Sequence, residues 1–302
     1  MAQSSKSQEI EIATPWGKIS AKTWGHSINQ VALLLHGLED NANTFDGLIP
    51  LLPQDYYYVS IDLPGHGKSD VLPSLGLPLQ GMDYVYVIKM LFDHFAREKY
   101  IIIGHSFGAI LGMQIGFVYP EKLEKLFILD TLWFQIIKPS EFGNWTRNKF
   151  QEFAKIQNQI NRNTTVYFTY KQAEDVMTTW RYSNCELTPK ATKTLLERSI
   201  KQVGNDKYRF TRDPKLKSYL CYPLDEQYAC EMIKSHNITF KIVVIVTEKA
   251  EIFYNEKYPN LVEEYKKVAD WFVVKGNHHV HLNEPSVVSN IINQFLDEAY
   301  PI

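Results

Sequence analysis

The sequence contains little cysteine and no excess charge of either sign, and each shortage excludes a class of protein. Three cysteines in 302 residues, Cys185, Cys221 and Cys230, are too few for a disulfide framework. They form no Cys-x-x-Cys metal pair either. Lys and Arg number 32 and Asp and Glu 34, which gives a formal net charge of −2. This balance argues against a nucleic-acid partner and against a polybasic surface for acidic membranes.

Long apolar segments are also absent. No run approaches about 18 apolar residues, so the sequence predicts no membrane span. Residues 1–9 are polar and do not resemble a signal peptide, and residues 299–302 are not a Ser-Lys-Leu peroxisomal signal. With 45% hydrophobic and 22% charged residues, the composition is that of an ordinary globular protein. We therefore expect a cytoplasmic monomer or homodimer and leave an association with peroxisomes open.

The sequence does contain short apolar runs that alternate with amphipathic segments. Six runs have the length and composition of strands buried on both faces, namely 30–35, 56–63, 100–103, 126–129, 240–246 and 271–274. Helical periodicity covers 82–98, 109–119 and 286–299. This alternation predicts βαβ units, and hence an α/β fold with a mostly parallel, doubly wound sheet.

The alternation stops between about residues 138 and 236. This stretch has amphipathic segments rich in Lys, Gln, Asn and Thr, but no strand run of comparable apolarity. We interpret it as a mostly helical insert between two late strands of the sheet. The expected organisation is therefore an N-terminal part of the core over 1–137, a helical cap over 138–236 and a C-terminal part of the core over 237–302.

The motif Gly-His-Ser-Phe-Gly at 104–108 lies between the apolar run 100–103 and a helix of small residues. This G-x-S-x-G pattern in a strand–turn–helix context is typical of a nucleophile elbow, in which a sharp turn exposes the serine at the end of the sheet. The alternative is a glycine-rich turn that only packs a helix against a strand. The flanking segments favour the elbow, and Ser106 is predicted to be a nucleophile.

A serine hydroxyl needs a base to accept its proton. Three histidines, His278, His279 and His281, follow the last predicted strand in the stretch 275–281. His281 leads into the final helix, where packing or capping is the alternative role, and the pattern leaves the choice between His278 and His279 open. No further ligands at metal-site spacing accompany the cluster, so we expect neither a metal nor another cofactor.

Acyl transfer at a serine also needs two N–H donors for the oxyanion. The amide of Phe107, directly after the serine, is one candidate. The other is the amide of Leu38, in the His-Gly-Leu segment that follows the first predicted strand. A role for Gly37 in allowing a tight turn at this point is compatible with that function.

These motifs together resemble the α/β-hydrolase superfamily, in order and in spacing. They are HG at 36–37, DLPGHGKS at 62–69, GHSFG at 104–108 and GNHHVHLNEP at 276–285. Further segments at 33–53, 129–134 and 209–216 are similar to the serine hydrolase-like, kraken-type proteins. The resemblance implies an α/β-hydrolase fold in which 138–236 is the cap.

The resemblance also assigns roles to residues. Ser106 matches the nucleophile, and Leu38 and Phe107 match the oxyanion positions. The family's histidine lies seven residues before the proline of the H-x-x-H-L-x-x-P motif, which selects His278.

The acid departs from the family pattern. Many relatives place it after the strand that corresponds to 240–246, and here Ala250 occupies the usual aspartate position. The candidates are Asp130, Glu248 and Glu251. The resemblance favours Asp130, because some members supply their acid from the strand before the cap. A triad without an acid stays open as well.

The expected function is that of a cofactor-free serine hydrolase acting on a small-molecule acyl substrate. An acyl-enzyme on Ser106 would cleave a small lipophilic carboxylic ester or thioester. The lipophilic preference is based on aromatic residues in and near the insert, namely Trp133, Phe134, Trp145, Tyr167, Tyr170 and Trp180. The alternatives are a catalytically weak ligand-binding or receptor protein, and a C–C bond hydrolase or lyase that uses the same site.

Overall fold

A computed structural model describes residues 6–73, 78–133, 136–162, 165–179, 185–218 and 225–297. The strands in these ranges are β1 (Gln8–Thr14), β2 (Gly17–Trp24), β3 (Val31–Leu35), β4 (Tyr57–Ile61), β5 (Tyr100–His105), β6 (Leu123–Leu129), β7 (Ile200–Gly204), β8 (Lys207–Phe210), β9 (Lys241–Thr247) and β10 (Ala269–Val274). The helices are α1 (Gly81–Phe95), α2 (Phe107–Val118), α3 (Phe142–Asn161), α4 (Tyr170–Thr179), α5 (Pro189–Ser199), α6 (Glu226–Ser235), α7 (Glu248–Lys257), α8 (Pro259–Val268), α9 (Val280–Asn283) and α10 (Pro285–Leu296). None of these helices is long and apolar enough to cross a membrane.

Eight strands form one sheet in the order β1-β2-β4-β3-β5-β6-β9-β10. The pairs from β4 to β10 are parallel, whereas β1–β2 and β2–β4 are antiparallel. The mostly parallel α/β sheet expected from the sequence is therefore confirmed. β1 and β2 were not predicted from the sequence, because charged residues alternate with apolar ones along both, namely Glu9 and Glu11 in the exposed edge strand β1 and Lys18 and Lys22 in β2.

Two hydrophobic clusters cover the two faces of the sheet. Every residue of β3 is buried. Val31, Leu33 and Leu35 contribute to one cluster, and Ala32 and Leu34 to the other. Burying a side chain of this size stabilises a fold by about 1.5–3 kcal/mol. With helices on both faces, the carboxyl ends of the parallel strands remain as the edge from which functional loops project.

The segment between the neighbouring strands β6 and β9 contains α3, α4, α5 and the hairpin β7–β8. Helices α4 and α5 share a small hydrophobic cluster that includes Met177, Leu195 and Leu196. The hairpin was not expected, because β7 is exposed along nearly its whole length and carries no apolar run.

Helix α6 lies inside the segment 138–236 that the sequence predicts to be the cap, but its contacts are with the core. Its buried Ala229, Cys230 and Ile233 belong to one of the two clusters that cover the sheet.

A buried ion pair fastens this insert to the core. Arg198, at the end of α5, donates from Nε to Asp62 Oδ2 over 2.6 Å and from Nη1 to Glu9 Oε1 over 2.6 Å. The Asp62 carboxylate also accepts from the amides of Ala42 at 2.8 Å and Lys68 at 2.7 Å. The Arg198 and Asp62 side chains are 2% and 0% exposed, so each charge depends on its partner for solvation.

Replacing Arg198 with methionine should lower the free energy of unfolding by about 3–5 kcal/mol, because Asp62 would keep a buried charge without its cation. Urea unfolding at neutral pH measures the change. Lys234→Met is the matched control, since the Lys234–Glu231 pair is exposed and should contribute less than about 1 kcal/mol. An equal loss of unfolding free energy in the two variants would show that the buried pair contributes no more to stability than the exposed pair.

Candidate active site

Ser106 occupies the tight turn between β5 and α2. Its backbone has φ 49° and ψ −116°, a region that side-chain-bearing residues rarely adopt. The turn brings α2 so close to β3 that a Cβ on Gly108 would lie 2.0 Å from the Leu35 carbonyl oxygen. This crowding explains why the motif has a glycine two positions after the serine. The turn leaves Ser106 at the N-terminus of a helix, where developing negative charge is favoured.

His278 and Asp130 are brought together from two different strand ends. Asp130 directly follows β6 with φ 55°, and its Oδ2 lies 2.8 Å from His278 Nδ1, in the loop after β10. The other carboxylate oxygen of Asp130 accepts from the Thr247 amide over 2.6 Å. Because an ionised carboxylate can only accept, His278 donates from Nδ1, and in the neutral ring Nε2 is then the nitrogen with the free lone pair.

The charge on Asp130 is stabilised by these contacts. Burial alone would raise the pKa of the carboxyl group, but the hydrogen bonds from His278 and Thr247 outweigh it and hold the pKa below its usual value. Asp130 therefore stays ionised at neutral pH.

The other two candidate acids lie elsewhere. Glu248 is exposed at the start of α7, and Glu251 pairs with Lys266 over 3.6 Å. Neither glutamate has a hydrogen bond to His278 in the part of the chain that the structure describes.

Ser106 and His278 line the same cavity, which has a volume of about 770 Å³. Within the described ranges no hydrogen bond joins the Ser106 hydroxyl to the His278 ring. Such contacts are often long in a site without substrate and tighten when the substrate binds. The arrangement can transfer a proton from the serine to Nε2 of His278 once the two side chains approach.

Of the two residues expected to supply oxyanion donors, Phe107 directly follows Ser106 and Leu38 lines the same cavity. Phe107 is the first residue of α2, whose N–H groups point out along the helix axis. Leu38 lines the cavity, in a turn closed by a 3.1 Å bond from the Asp40 amide to the Gly37 carbonyl.

A buried histidine supports this turn. The Glu39 amide donates to Nε2 of His66 over 3.1 Å, and Nδ1 of His66 lies 3.0 Å from the Pro64 carbonyl. Burial lowers the pKa of His66 to about 3, so the ring stays neutral and its Nε2 can accept the hydrogen bond from the Glu39 amide.

The remaining histidines of the cluster are buried beside Asp40. His279 donates from Nε2 to Asp40 Oδ2 over 3.1 Å, and Nε2 of His281 lies 2.8 Å from the Thr44 hydroxyl. The contact with Asp130 thus distinguishes His278, as the candidate base, from His279 and His281. His105, next to the serine, donates from Nε2 to the His278 carbonyl over 2.8 Å. Sequence reasoning missed Asp40 and His105, although both lie within motifs that it quoted.

The cavity lining contains both apolar and charged side chains. Its apolar residues include Leu38, Ile156, Val176, Met177, Phe210 and Leu216, and its charged residues include Glu39, Lys149, Glu152, Lys155, Arg212 and Lys217. The expectation that insert aromatics form the pocket is wrong for Trp133, Trp145, Tyr167 and Tyr170, none of which lines it. Phe134 and Trp180 lie outside the described residues.

Comparisons of the sequence with known proteins agree with this fold. Residues 31–285 match a family model described as the alpha/beta hydrolase fold. The chain is 30% identical to a serine hydrolase-like protein of Danio rerio, over 97% of this chain and 89% of that protein. It is 31% identical to serine hydrolase-like protein 2 of Homo sapiens, over 95% and 93% of the two chains.

Solved structures share the architecture at lower identity. A hypothetical protein of Pseudomonas aeruginosa PAO1 is 21% identical, with a TM-score of 0.79 over 96% of this chain and 99% of that one. The thioesterase domain from the curacin biosynthetic pathway is 19% identical, with a TM-score of 0.76 over 95% and 99% of the two chains. At these identities the likeness extends to the fold alone.

Proposed function

Because this chain belongs to the α/β-hydrolase family and, within it, to the serine hydrolase-like proteins, we propose that Ser106, His278 and Asp130 form its catalytic triad. The protein is a serine hydrolase, and the bond it cleaves is proposed to be a small carboxylic ester or thioester. The observation that carries the proposal is the 2.8 Å hydrogen bond between His278 Nδ1 and Asp130 Oδ2, in a site whose nucleophile is a serine in a strained turn.

The reaction follows from the tautomer of His278. Nε2 accepts the proton of Ser106 as the serine oxygen attacks the substrate carbonyl, and Asp130 stabilises the imidazolium that forms. The amides of Leu38 and Phe107 stabilise the negative carbonyl oxygen. His278 then gives the proton to the leaving alcohol or thiol, and an acyl-enzyme remains. Water, deprotonated by the same nitrogen, attacks the acyl-enzyme, releases the carboxylic acid and restores the serine.

The mixed lining of the cavity supports a substrate with both an apolar and a polar portion. A lipophilic acyl group would pack against apolar side chains such as Met177 and Leu216. A polar leaving group would be accepted by charged side chains such as Lys155. We retain a small lipophilic acyl substrate as the proposal.

Labelling with a fluorophosphonate tests the nucleophile. We expect the wild-type protein to be labelled on Ser106, because the probe phosphonylates a serine only where a base and an oxyanion site activate it. The label should be absent in Ser106→Ala and unchanged in Ser289→Ala, which removes a buried hydroxyl of α10. Mass spectrometry of the labelled peptide identifies the site. An unlabelled wild type, or a labelled Ser106→Ala, would end the proposal.

The alternative of a weakly catalytic ligand-binding protein depended on the missing aspartate at position 250. The contact between Asp130 and His278 supports an acid from another strand end and so favours the hydrolase over this alternative. A C–C bond hydrolase or lyase would use the same three residues, and a screen of p-nitrophenyl esters, thioesters and C–C substrates distinguishes these reactions.

A further inference from the structure

Three buried side chains beside the proposed triad converge on one point. Asp40 Oδ2 lies 3.7 Å from His105 Nδ1 and 3.1 Å from His279 Nε2. Each residue offers one ligand atom, and these atoms lie within 4.8 Å of one another. The three side chains are at most 3% exposed, yet all three residues line the active-site cavity. The point where the three side chains meet is therefore buried, but it adjoins a cavity that solvent and ions can enter.

The protonation of His105 makes this arrangement incomplete without a ligand. Nε2 of His105 faces the His278 carbonyl at 2.8 Å, and a carbonyl only accepts, so Nε2 carries the ring proton. Nδ1 lies 3.7 Å from Asp40 Oδ2, which is beyond hydrogen-bond distance, so no N–H of this ring is held by the carboxylate.

Nδ1 of His105 consequently carries a lone pair and no proton. It is buried and has no hydrogen-bond partner among the described residues. It faces the Asp40 carboxylate, which also only accepts. Two acceptors 3.7 Å apart with no hydrogen between them repel each other, and a cation between them would satisfy both.

We propose that Asp40, His105 and His279 bind a divalent transition-metal ion such as Zn²⁺ or Co²⁺, with a fourth coordination position open to the cavity. Two imidazoles and one carboxylate suit these ions better than Mg²⁺ or Ca²⁺, which prefer oxygen ligands. Zinc–ligand distances of about 2.1 Å in a tetrahedral site place ligand atoms about 3.4 Å apart. The separations of 3.1 and 3.7 Å lie on either side of that value.

Binding requires one proton to move. His279 donates from Nε2 to Asp40 before the ion arrives, so its ring proton shifts from Nε2 to Nδ1 and leaves Nε2 free to coordinate. His105 coordinates through Nδ1 and keeps its bond to the His278 carbonyl. The ring stays neutral in each case, and the ion shares the charge of Asp40.

The ion would inhibit ester hydrolysis. His105 precedes Ser106, and its ring centroid is 4.7 Å from that of His278, so a divalent charge at Nδ1 would make His278 a weaker base. The oxyanion turn is equally close, since a Cβ on Gly37 would lie 2.9 Å from His105 Nδ1. The site would therefore let the protein respond to transition metals.

Titration of the EDTA-treated full-length protein with Co²⁺ tests the site. We expect one equivalent to bind with the visible absorption bands of tetrahedral Co²⁺, and Zn²⁺ to displace it. Asp40→Asn and His279→Gln should weaken binding by at least about 100-fold, since even outer contacts of metal ligands cost 10–100-fold. His281→Gln is the matched control, because its ring lies 4.0 Å from that of His105 but is not a ligand. This control should keep the affinity within about 3-fold.

A wild type without saturable Co²⁺ binding would overturn the proposal, and so would an equal loss of affinity in His281→Gln. Circular dichroism shows whether each variant is folded. If the ligand variants do not fold, ¹⁵N-histidine NMR of the wild type decides, because Zn²⁺ should shift the ring nitrogens of His105 and His279 and leave those of His281. Binding is measured without turnover, so a protein that hydrolyses esters but binds no metal refutes this site alone.

Discussion

Replacing Asp130 with asparagine should lower kcat for ester hydrolysis by about 10⁴ while the fold stays intact. The Thr247 amide fixes the orientation of the new side chain, because it donates to Oδ1 over 2.6 Å and must continue to face an oxygen. The asparagine NH₂ then faces Nδ1 of His278. That nitrogen becomes an acceptor, the ring proton moves to Nε2, and His278 can no longer accept the proton of Ser106. Steady-state kinetics with p-nitrophenyl butyrate measure the loss.

The variants Glu248→Gln and Glu251→Gln are the matched controls for this experiment. Each neutralises one of the other candidate acids, and each should leave kcat within about 2-fold of wild type, since neither side chain contacts His278 among the described residues. If Asp130→Asn kept more than a tenth of the activity, or if a glutamate variant lost it, the assignment of the acid would be wrong.

Acidification from pH 7 to pH 5 should sharply lower the free energy of unfolding. Burial, with the neighbouring histidines, lowers the pKa of His66 and of His281 to about 3. Burial also lowers the pKa of His36, and that of His105 falls well below its usual value. These rings stay neutral in the folded protein, whereas the unfolded chain protonates them below about pH 6.5. The unfolded state then binds more protons, so stability is present above that pH and is lost as the pH falls toward 3.

The loss of free energy of unfolding grows with the number of pH units below 6.5. At pH 5, His66 and His281 should each cost about 2 kcal/mol. Urea unfolding at pH 7, 6 and 5 measures the slope. His66→Gln should reduce the proton uptake on unfolding by about one. A free energy of unfolding that is the same at pH 7 and pH 5 would contradict the neutral, buried state of these histidines.

The central strands of the fold could be predicted from the sequence because both of their faces are buried. Residues 31–35 are apolar throughout, and the structure buries all of them. The edge strand β1, its neighbour β2 and the hairpin β7–β8 could not be predicted in this way. The strands β1, β7 and β8 each have a strand partner on one side only. Polar or charged residues alternate with apolar ones along β1 and β2, so neither forms an apolar run.

In the candidate site, too, one part is encoded by neighbouring residues and another depends on residues far apart in the sequence. The position of Ser106 is encoded locally, because a strand, a tight turn and a helix follow one another within a few residues. The pairing of His278 with an acid depends on residues 148 positions apart, which meet only because β6 and β10 both lie beside β9. Family resemblance favoured Asp130 over two glutamates, but no spacing rule in the sequence separates them. The role of Asp40 depends in the same way on contacts made across the sheet.

The ion pair of Arg198 with Asp62 fixes where the insert meets the sheet. It holds one end of α5 against the loop after β4 and, through Glu9, against the first strand. Helix α3, which contributes Lys149, Glu152 and Ile156 to the cavity lining, has no buried residue. The insert is therefore anchored to the core by buried charges at α5, whereas part of its contribution to the cavity comes from a helix that buries no side chain.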